Sequence, residues 1–313
     1  VVAAVAVVVH QIADLFAGVR DVARVFAAIR HVLVEIDVAW LARQFPDLVN
    51  LSPLSMGGQK IVLSADHPID GSVVLKLIHP GQDSETTNRE LLAIVQVNSP
   101  RVPRVLERGE ISTPIGNCVW FREQRVHGEP IRSVVGLGPM PPTEVLKLGL
   151  HVLETLTASE AANIVHRDVK PDNIIRDGHG DYWLLDFGLA RHLSLSSLTV
   201  SASPFGKMTV GYAPPEQSRN IKGEIDSRAD LFATGVTLHE CATGVHPFRH
   251  GSRDDLETLR KVDSLPLPAL TLSVTRARDL ADLVSAMTQK RRDHRPASVR
   301  EAHDWMIDIC RAE

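Results

Sequence analysis

One short stretch, His166-Arg167-Asp168-Val169-Lys170-Pro171-Asp172-Asn173, puts a carboxylate, an ammonium and a carboxamide into a single loop, and Asp186-Phe187-Gly188 adds another carboxylate soon after. A carboxylate such as Asp168 can accept or orient the proton of a hydroxyl. Asn173 and Asp186 offer hard oxygen donors of the kind magnesium prefers. Lys170, two residues beyond Asp168, can steady a phosphoryl group. The combination suits holding a metal-bound phosphate against a hydroxyl, where positioning and charge do most of the catalytic work.

Other elements must hold those groups in place, and the sequence predicts which. Strand candidates are Ile61-Val62-Leu63 and Val73 to Ile78, joined by the turn-rich Asp66-His67-Pro68-Ile69-Asp70-Gly71 as in an antiparallel hairpin, then Val105-Leu106-Glu107 and Asn117 to Arg122. A helix is predicted from Glu85 to Val97 between them. Beyond Pro141 the apolar spacing becomes helical, over Thr143 to Ala162, Ser227 to Thr243, Leu280 to Met287 and Ser298 to Cys310. The chemistry-bearing stretch falls in the turn-rich centre between these helices.

Ahead of all this, Leu15, Val19, Val22, Phe26, Ile29, Leu33, Ile36 and Trp40 recur at steps of three and four. That seam predicts a long amphipathic helix, able to pair with a second copy as a homodimer or to pack on the neighbouring domain. Pro46 ends it, and Asp47 to Leu54 reads as a linker.

With 313 residues the chain can bury a large core, and a formal net charge of -4 with mixed signs provides no field drawing it to nucleic acid or an anionic membrane. Cys118, Cys241 and Cys310 lie far apart, which suggests neither a disulfide framework nor a zinc site and fits a reducing, cytoplasmic compartment. The apolar run Val1 to Val9 is far short of the roughly 20 residues of a membrane helix, and the opening Val1 suggests a piece of a longer protein.

From about Leu54 onward the chain resembles a eukaryotic-like, Hanks-type protein Ser/Thr kinase domain of the bacterial kind, with an N-terminal helical extension. The resemblance rests on His-Arg-Asp, Lys-Pro-Asp-Asn, Asp-Phe-Gly and the run Thr209-Val210-Gly211-Tyr212-Ala213-Pro214-Pro215-Glu216. It implies an α+β bilobal fold: a small antiparallel-sheet lobe with one helix over residues 51–126, a larger helical lobe over 127–313, and the amphipathic segment 1–50 in front. It also implies ATP and Mg²⁺ as cofactors and protein substrates as partners.

Carried onto this sequence, the resemblance makes Asp168 the residue at the acceptor hydroxyl, Lys170 a partner of the transferred phosphoryl, and Asn173 with Asp186 the metal ligands. Lys76 would hold the α and β phosphates, oriented by Glu90, while Val74 would cover the adenine and Val62, just after the glycine-rich loop, would also line the nucleotide site. Ser55-Met56-Gly57-Gly58-Gln59-Lys60 stands where a glycine-rich loop is expected and keeps only its central glycine. Gly57, Gly58 and Gln59 would bring backbone amides to phosphate and Lys60 a charge, or the glycines form an ordinary hairpin turn. That erosion leaves room for a second reading, a pseudokinase that binds nucleotide as a scaffold; phosphorylation of a small molecule is disfavoured by the protein-substrate type of segment at Thr209 to Glu216. Thr209 would line the acceptor site, and Glu216 would pair with Arg295. His166 and Phe187 would stack beneath the site, and Phe232 stands where tryptophan is usual. The Ser/Thr-rich run from Ser194 to Ser203 offers sites for autophosphorylation, with Arg167 placed to receive the phosphate.

Overall fold

The computed structural model describes residues 38–56, 60–78, 95–113, 116–187, 191–192, 208–221, 223–270 and 277–311. The chain divides into two compact units, residues 1–81 with 107–122, and residues 82–106 with 123–313.

In the first unit, helix α1 (Val38–Gln44) leads into strands β1 (Val49–Met56), β2 (Lys60–His67) and β3 (Gly71–Ile78), with β4 (Val105–Thr113) and β5 (Gly116–Gln124) completing a sheet of order β1-β2-β3-β5-β4. α1 stops just before Pro46, as expected, but the predicted linker at 47–54 is instead largely β1. Its composition concealed this: Pro53 interrupts the strand, and two register shifts break its pairing with β2. Proline is tolerated there because β1 lies at the edge of the sheet, where one side of the backbone has no ladder to complete. The heptad run from Leu15 to Ile36, and the dimer read from it, lie outside the described residues, as do Glu90 and most of the helix predicted around it.

β2 and β3 pair without a break from Lys60↔Ile78 to His67↔Gly71. Ile61, Leu63, Val73, Leu75 and Leu77 fill one face and are almost wholly buried. Because side chains alternate, the partners Val62↔Lys76 and Ser64↔Val74, together with Lys60, share the opposite face.

The second unit is built on α3 (Pro142–Ala161), α5 (Arg228–Thr243), α7 (Ala277–Met287) and α8 (Val299–Arg311), with α2 (Ile131–Val135), α4 (Pro215–Ser218) and α6 (Asp255–Ser264) around them. Three of the four large helices show one apolar stripe, as at Leu280, Leu283, Val284 and Met287 of α7. α5 differs, for every residue from Ala229 to Ala242 is buried, so it forms the axis of the unit. Gly235 lets α7 approach it closely: a Cβ there would stand 2.5 Å from Thr288 Cγ2 and 3.3 Å from the Val284 carbonyl. The small strands β6 (Gly128–Pro130), β8 (Ile174–Asp177) and β9 (Tyr182–Leu184) form one sheet, and β7 (Ile164–Val165) pairs with β10 (Arg191–His192). The chemistry-bearing loop is thus strung between β7 and β8.

Phe232 of α5 is the centre of a buried cluster. Phe248 stacks on it at 6.4 Å and the Arg295 guanidinium lies 5.1 Å from the centre of its ring. Lys290 Nζ sits 4.3 Å from the Phe248 ring, and burial pushes its ammonium down to about 8. Arg295 also makes the expected bidentate pair with Glu216, at 2.6 and 3.0 Å, and donates to the carbonyls of Gln289 and Arg228. Both side chains are buried, so removing either strands a charge. Glu216→Ala or Arg295→Ala is expected to cost about 3–5 kcal/mol, read as a fall in the denaturant midpoint, and a change under about 1 kcal/mol would contradict this account.

Candidate active site

The loop from His166 to Asn173 follows a backbone path that its own sequence does not favour. Arg167 has φ +69°, a left-handed conformation that a non-glycine residue adopts at a cost of about 1–2 kcal/mol. Three bonds hold it there. The two carboxylate oxygens of Asp230, in the first turn of α5, accept the amides of His166 (2.8 Å) and Arg167 (2.7 Å), and Gln217 Nε2 donates to the Arg167 carbonyl at 2.8 Å. Burial pushes Asp230 up to about 7, and the two amide donors act in the opposite direction.

His166 is buried, and its ring packs edge-on to Phe187 with centroids 4.5 Å apart. Its Nδ1 accepts the Asp168 amide, so the proton is on Nε2, which donates to the Leu185 carbonyl at 3.0 Å. The Leu185 amide in turn donates to the Asn173 carbonyl at 2.8 Å. Leu185 is therefore clamped by both ends of the loop, which sets Asp186 beside Asn173. Asp186, like Arg167, has positive φ (+63°). Phe187 is rooted in an apolar cluster with Val97, Val102 and Ile164.

Around Asp168 the polar groups converge. Lys170 Nζ lies 2.8 Å from Asp168 Oδ2 and 2.7 Å from Thr209 Oγ1, while the Thr209 hydroxyl donates to Asp168 Oδ1 at 2.5 Å. Asn173 Nδ2 donates to the Asp168 carbonyl (2.8 Å) and to Oδ2 (2.9 Å), which leaves its own carbonyl oxygen turned to other use. Asp168 and Asn173 are both over nine-tenths buried, in a setting where such bonds are strong. Among the described residues no group of three His, Cys, Asp or Glu side chains could hold a metal alone. Asn173 and Asp186 fit magnesium, which needs only one or two protein oxygens when phosphate and water supply the rest.

Lys76, Val62, Val74 and Lys60 occupy one face of β2 and β3 in the first unit, with Lys76 buried to 6% exposure and its ammonium 5.4 Å from the Phe121 ring. Gly57, Gly58 and Gln59 lie outside the described residues, and so does the run from Ser194 to Ser203.

Several contributors carry no short-motif signal. Arg132 of α2 binds Asp172 through Nε and Nη2 (3.1 and 3.0 Å), Glu240 through Nη1 (2.7 Å) and the Tyr212 hydroxyl (2.5 Å), and that hydroxyl also donates to Glu240. Arg132 and Glu240 stand 108 positions apart, so nothing local links them. Gly211, with φ +93°, leaves the space that His246 fills, since a Cβ there would stand 2.7 Å from His246 Cε1. His246 Nδ1 accepts the amides of Phe248 and Arg249, which puts the hydrogen on its buried Nε2.

Two outcomes follow from these contacts. Asp230→Asn offers one acceptor oxygen to two buried amides and is expected to lower unfolding free energy by about 1–3 kcal/mol; denaturant curves identical to the parent would refute the clamp. Burial, then Arg249, push His246 down to about 3. The unfolded histidine binds a proton near pH 6.5, so the neutral His246 contributes fully above that value and its contribution is lost as pH falls toward 3, up to about 2 kcal/mol by pH 5. Asp230 has the opposite sign over pH 4 to 7, being more readily protonated when folded. The test is therefore a difference: the stability gap between parent and His246→Gln should narrow from pH 7.5 to pH 5, and parallel pH curves would exclude it.

Comparison with known proteins gives the same direction as the geometry. Residues 57–306 match the family model described as protein kinase domain. The chain is 32% identical over 207 residues to the serine/threonine-protein kinase PknL of Mycobacterium tuberculosis, covering 64% of this chain and 50% of that protein. It is 30% identical over 266 residues to the serine/threonine-protein kinase pkn2 of Myxococcus xanthus, covering 81% of this chain and 31% of that one. PknD of Mycobacterium tuberculosis shares 31% over 240 residues, 74% of this chain and 35% of its own length. The aligned part is thus at most about half of each of these curated relatives. With the family model covering most of the chain and the loop geometry in agreement, this protein belongs to the protein kinase domain family, of the kind found in bacterial Ser/Thr kinases.

Proposed function

We propose that this chain is an active protein Ser/Thr kinase domain, transferring the γ-phosphoryl of MgATP to serine and threonine hydroxyls of protein substrates. The observation that carries the reading is the Thr209 hydroxyl donating to Asp168 Oδ1 at 2.5 Å while Lys170 Nζ touches both. An aliphatic hydroxyl already sits against the carboxylate as an acceptor would. Asp168 then orients the incoming hydroxyl and takes its proton, and Lys170 offsets charge on the transferred group.

Asn173 and Asp186 would hold Mg²⁺, which would supply positive charge to offset that of the phosphates. Lys76 would meet the α and β phosphates with Val62 and Val74 against the base; their common face on β2 and β3 supports this, as does the burial of Lys76 among apolar neighbours. A domain fed by MgATP works in the cytoplasm, and among the described residues no helix is long and apolar enough to cross a membrane.

Asp168→Asn keeps the shape of the side chain but removes the proton acceptor. Transfer of radiolabelled phosphate to a generic protein substrate is expected to fall by about 10²–10⁴-fold in a variant that remains folded, as checked by a cooperative thermal transition. An unaltered rate would dismiss the role of Asp168, and nucleotide binding without transfer in the parent chain would favour the scaffold reading.

A further inference from the structure

Arg249 follows α5 and reaches back to the segment that carries Thr209. Its Nε donates to the Val210 carbonyl at 3.1 Å, one residue beyond Thr209. Its stem lies over Gly211, where even a Cβ would approach Arg249 Cγ at 3.4 Å. Val210 and Gly211 thus fix the root of a side chain that is itself exposed. A guanidinium has five N–H donors, and this bond uses one.

Asp168, Asp172, Glu240 and Asp254 are engaged elsewhere. Asp168 is bonded by Lys170, Thr209 and Asn173. Both oxygens of Glu240 are taken, by Arg132 and Tyr212, and Asp172 is held by Arg132. Asp254, next along the chain, caps the Glu257 amide at the start of α6. Among the described residues Arg249 forms no ion pair, and His246 beside it is held neutral by burial and by Arg249 itself. What remains is a solvent-facing cation anchored one residue beyond Thr209, whose own hydroxyl meets Asp168.

We infer that Arg249 is a specificity-determining residue, and that the substrates of this domain carry a carboxylate side chain within two or three residues of the phosphorylated serine or threonine. The inference rests on the protein kinase reading above. Consecutive Cα atoms are about 3.8 Å apart, so a guanidinium anchored on Val210 meets an extended peptide a few residues from its acceptor, not at the acceptor itself. An anchored arginine fork is suited to binding a carboxylate through two N–H groups.

The test uses the full chain with MgATP and three peptide sets that differ only in the residues flanking one serine: acidic, neutral and basic. The parent chain is expected to favour acidic over neutral peptides by about tenfold in kcat/KM. Arg249→Gln should bring that ratio close to one, Arg249→Lys should retain part of it, and Arg249→Glu should invert it toward basic peptides. A purely structural role would instead lower all three sets together. Equal kcat/KM for the three sets in the parent, or a ratio unmoved by Arg249→Glu, would overturn the inference while leaving the kinase reading intact. Absence of transfer both to peptides and to the chain itself would overturn the kinase reading and this inference with it.

Discussion

A single buried carboxylate fixes the shape of the loop from His166 to Asn173. Asp230 accepts the amides of His166 and Arg167 at once, and with Gln217 on the Arg167 carbonyl it holds a backbone turn that the residue there does not favour by itself. Such strain persists only where the surroundings over-determine it. Once that turn is set, Asp168 follows directly into position, and His166 reaches the Leu185 carbonyl that places Asp186. Without the clamp, the loop would trade its strained turn for a relaxed one and the polar groups would separate.

Asp230 can do this because α5 is buried from Ala229 to Ala242. The same helix supplies Glu240 ten residues on, about 15 Å further along the axis, where with Arg132 it secures Tyr212 and Asp172. Phe232, between the two, sits against Phe248 and Arg295, and Arg295 holds Glu216. One rigid element thus braces the loop with Asp168, the segment with Thr209, and the helix that follows that segment. Displacing any one of them alone would leave a buried charge unpaired.

The first unit solves a different problem with the same economy. Alternation along β2 and β3 gives one face to aliphatic packing and the other to Lys60, Val62, Val74 and Lys76. A lysine at 6% exposure is costly to bury unless its surroundings compensate, and the Phe121 ring beneath its ammonium is one such compensation.

The sequence by itself determined the chemistry and the type of most elements. Asp168, Lys170, Asn173 and Asp186 stand close together in the chain, so their spacing already implied a common site; a short Val/Ile/Leu-rich run marked the first half of β2, and a second such run and apolar spacing of three to four marked β3, α3, α5, α7 and α8 with ends close to those found. Local pattern misled at 47–54, where Pro53 and irregular pairing hid an edge strand whose stability comes from β2. What only the tertiary structure decided are the contacts made across long stretches of chain: Arg132 with Glu240, His246 filling the space left by Gly211, Arg249 on Val210, and the two amides on Asp230. Residue spacing reports periodicity within one element. It carries no record of which distant side chain meets a given carbonyl, because that is settled when separately formed elements pack and every buried polar group must find its partner.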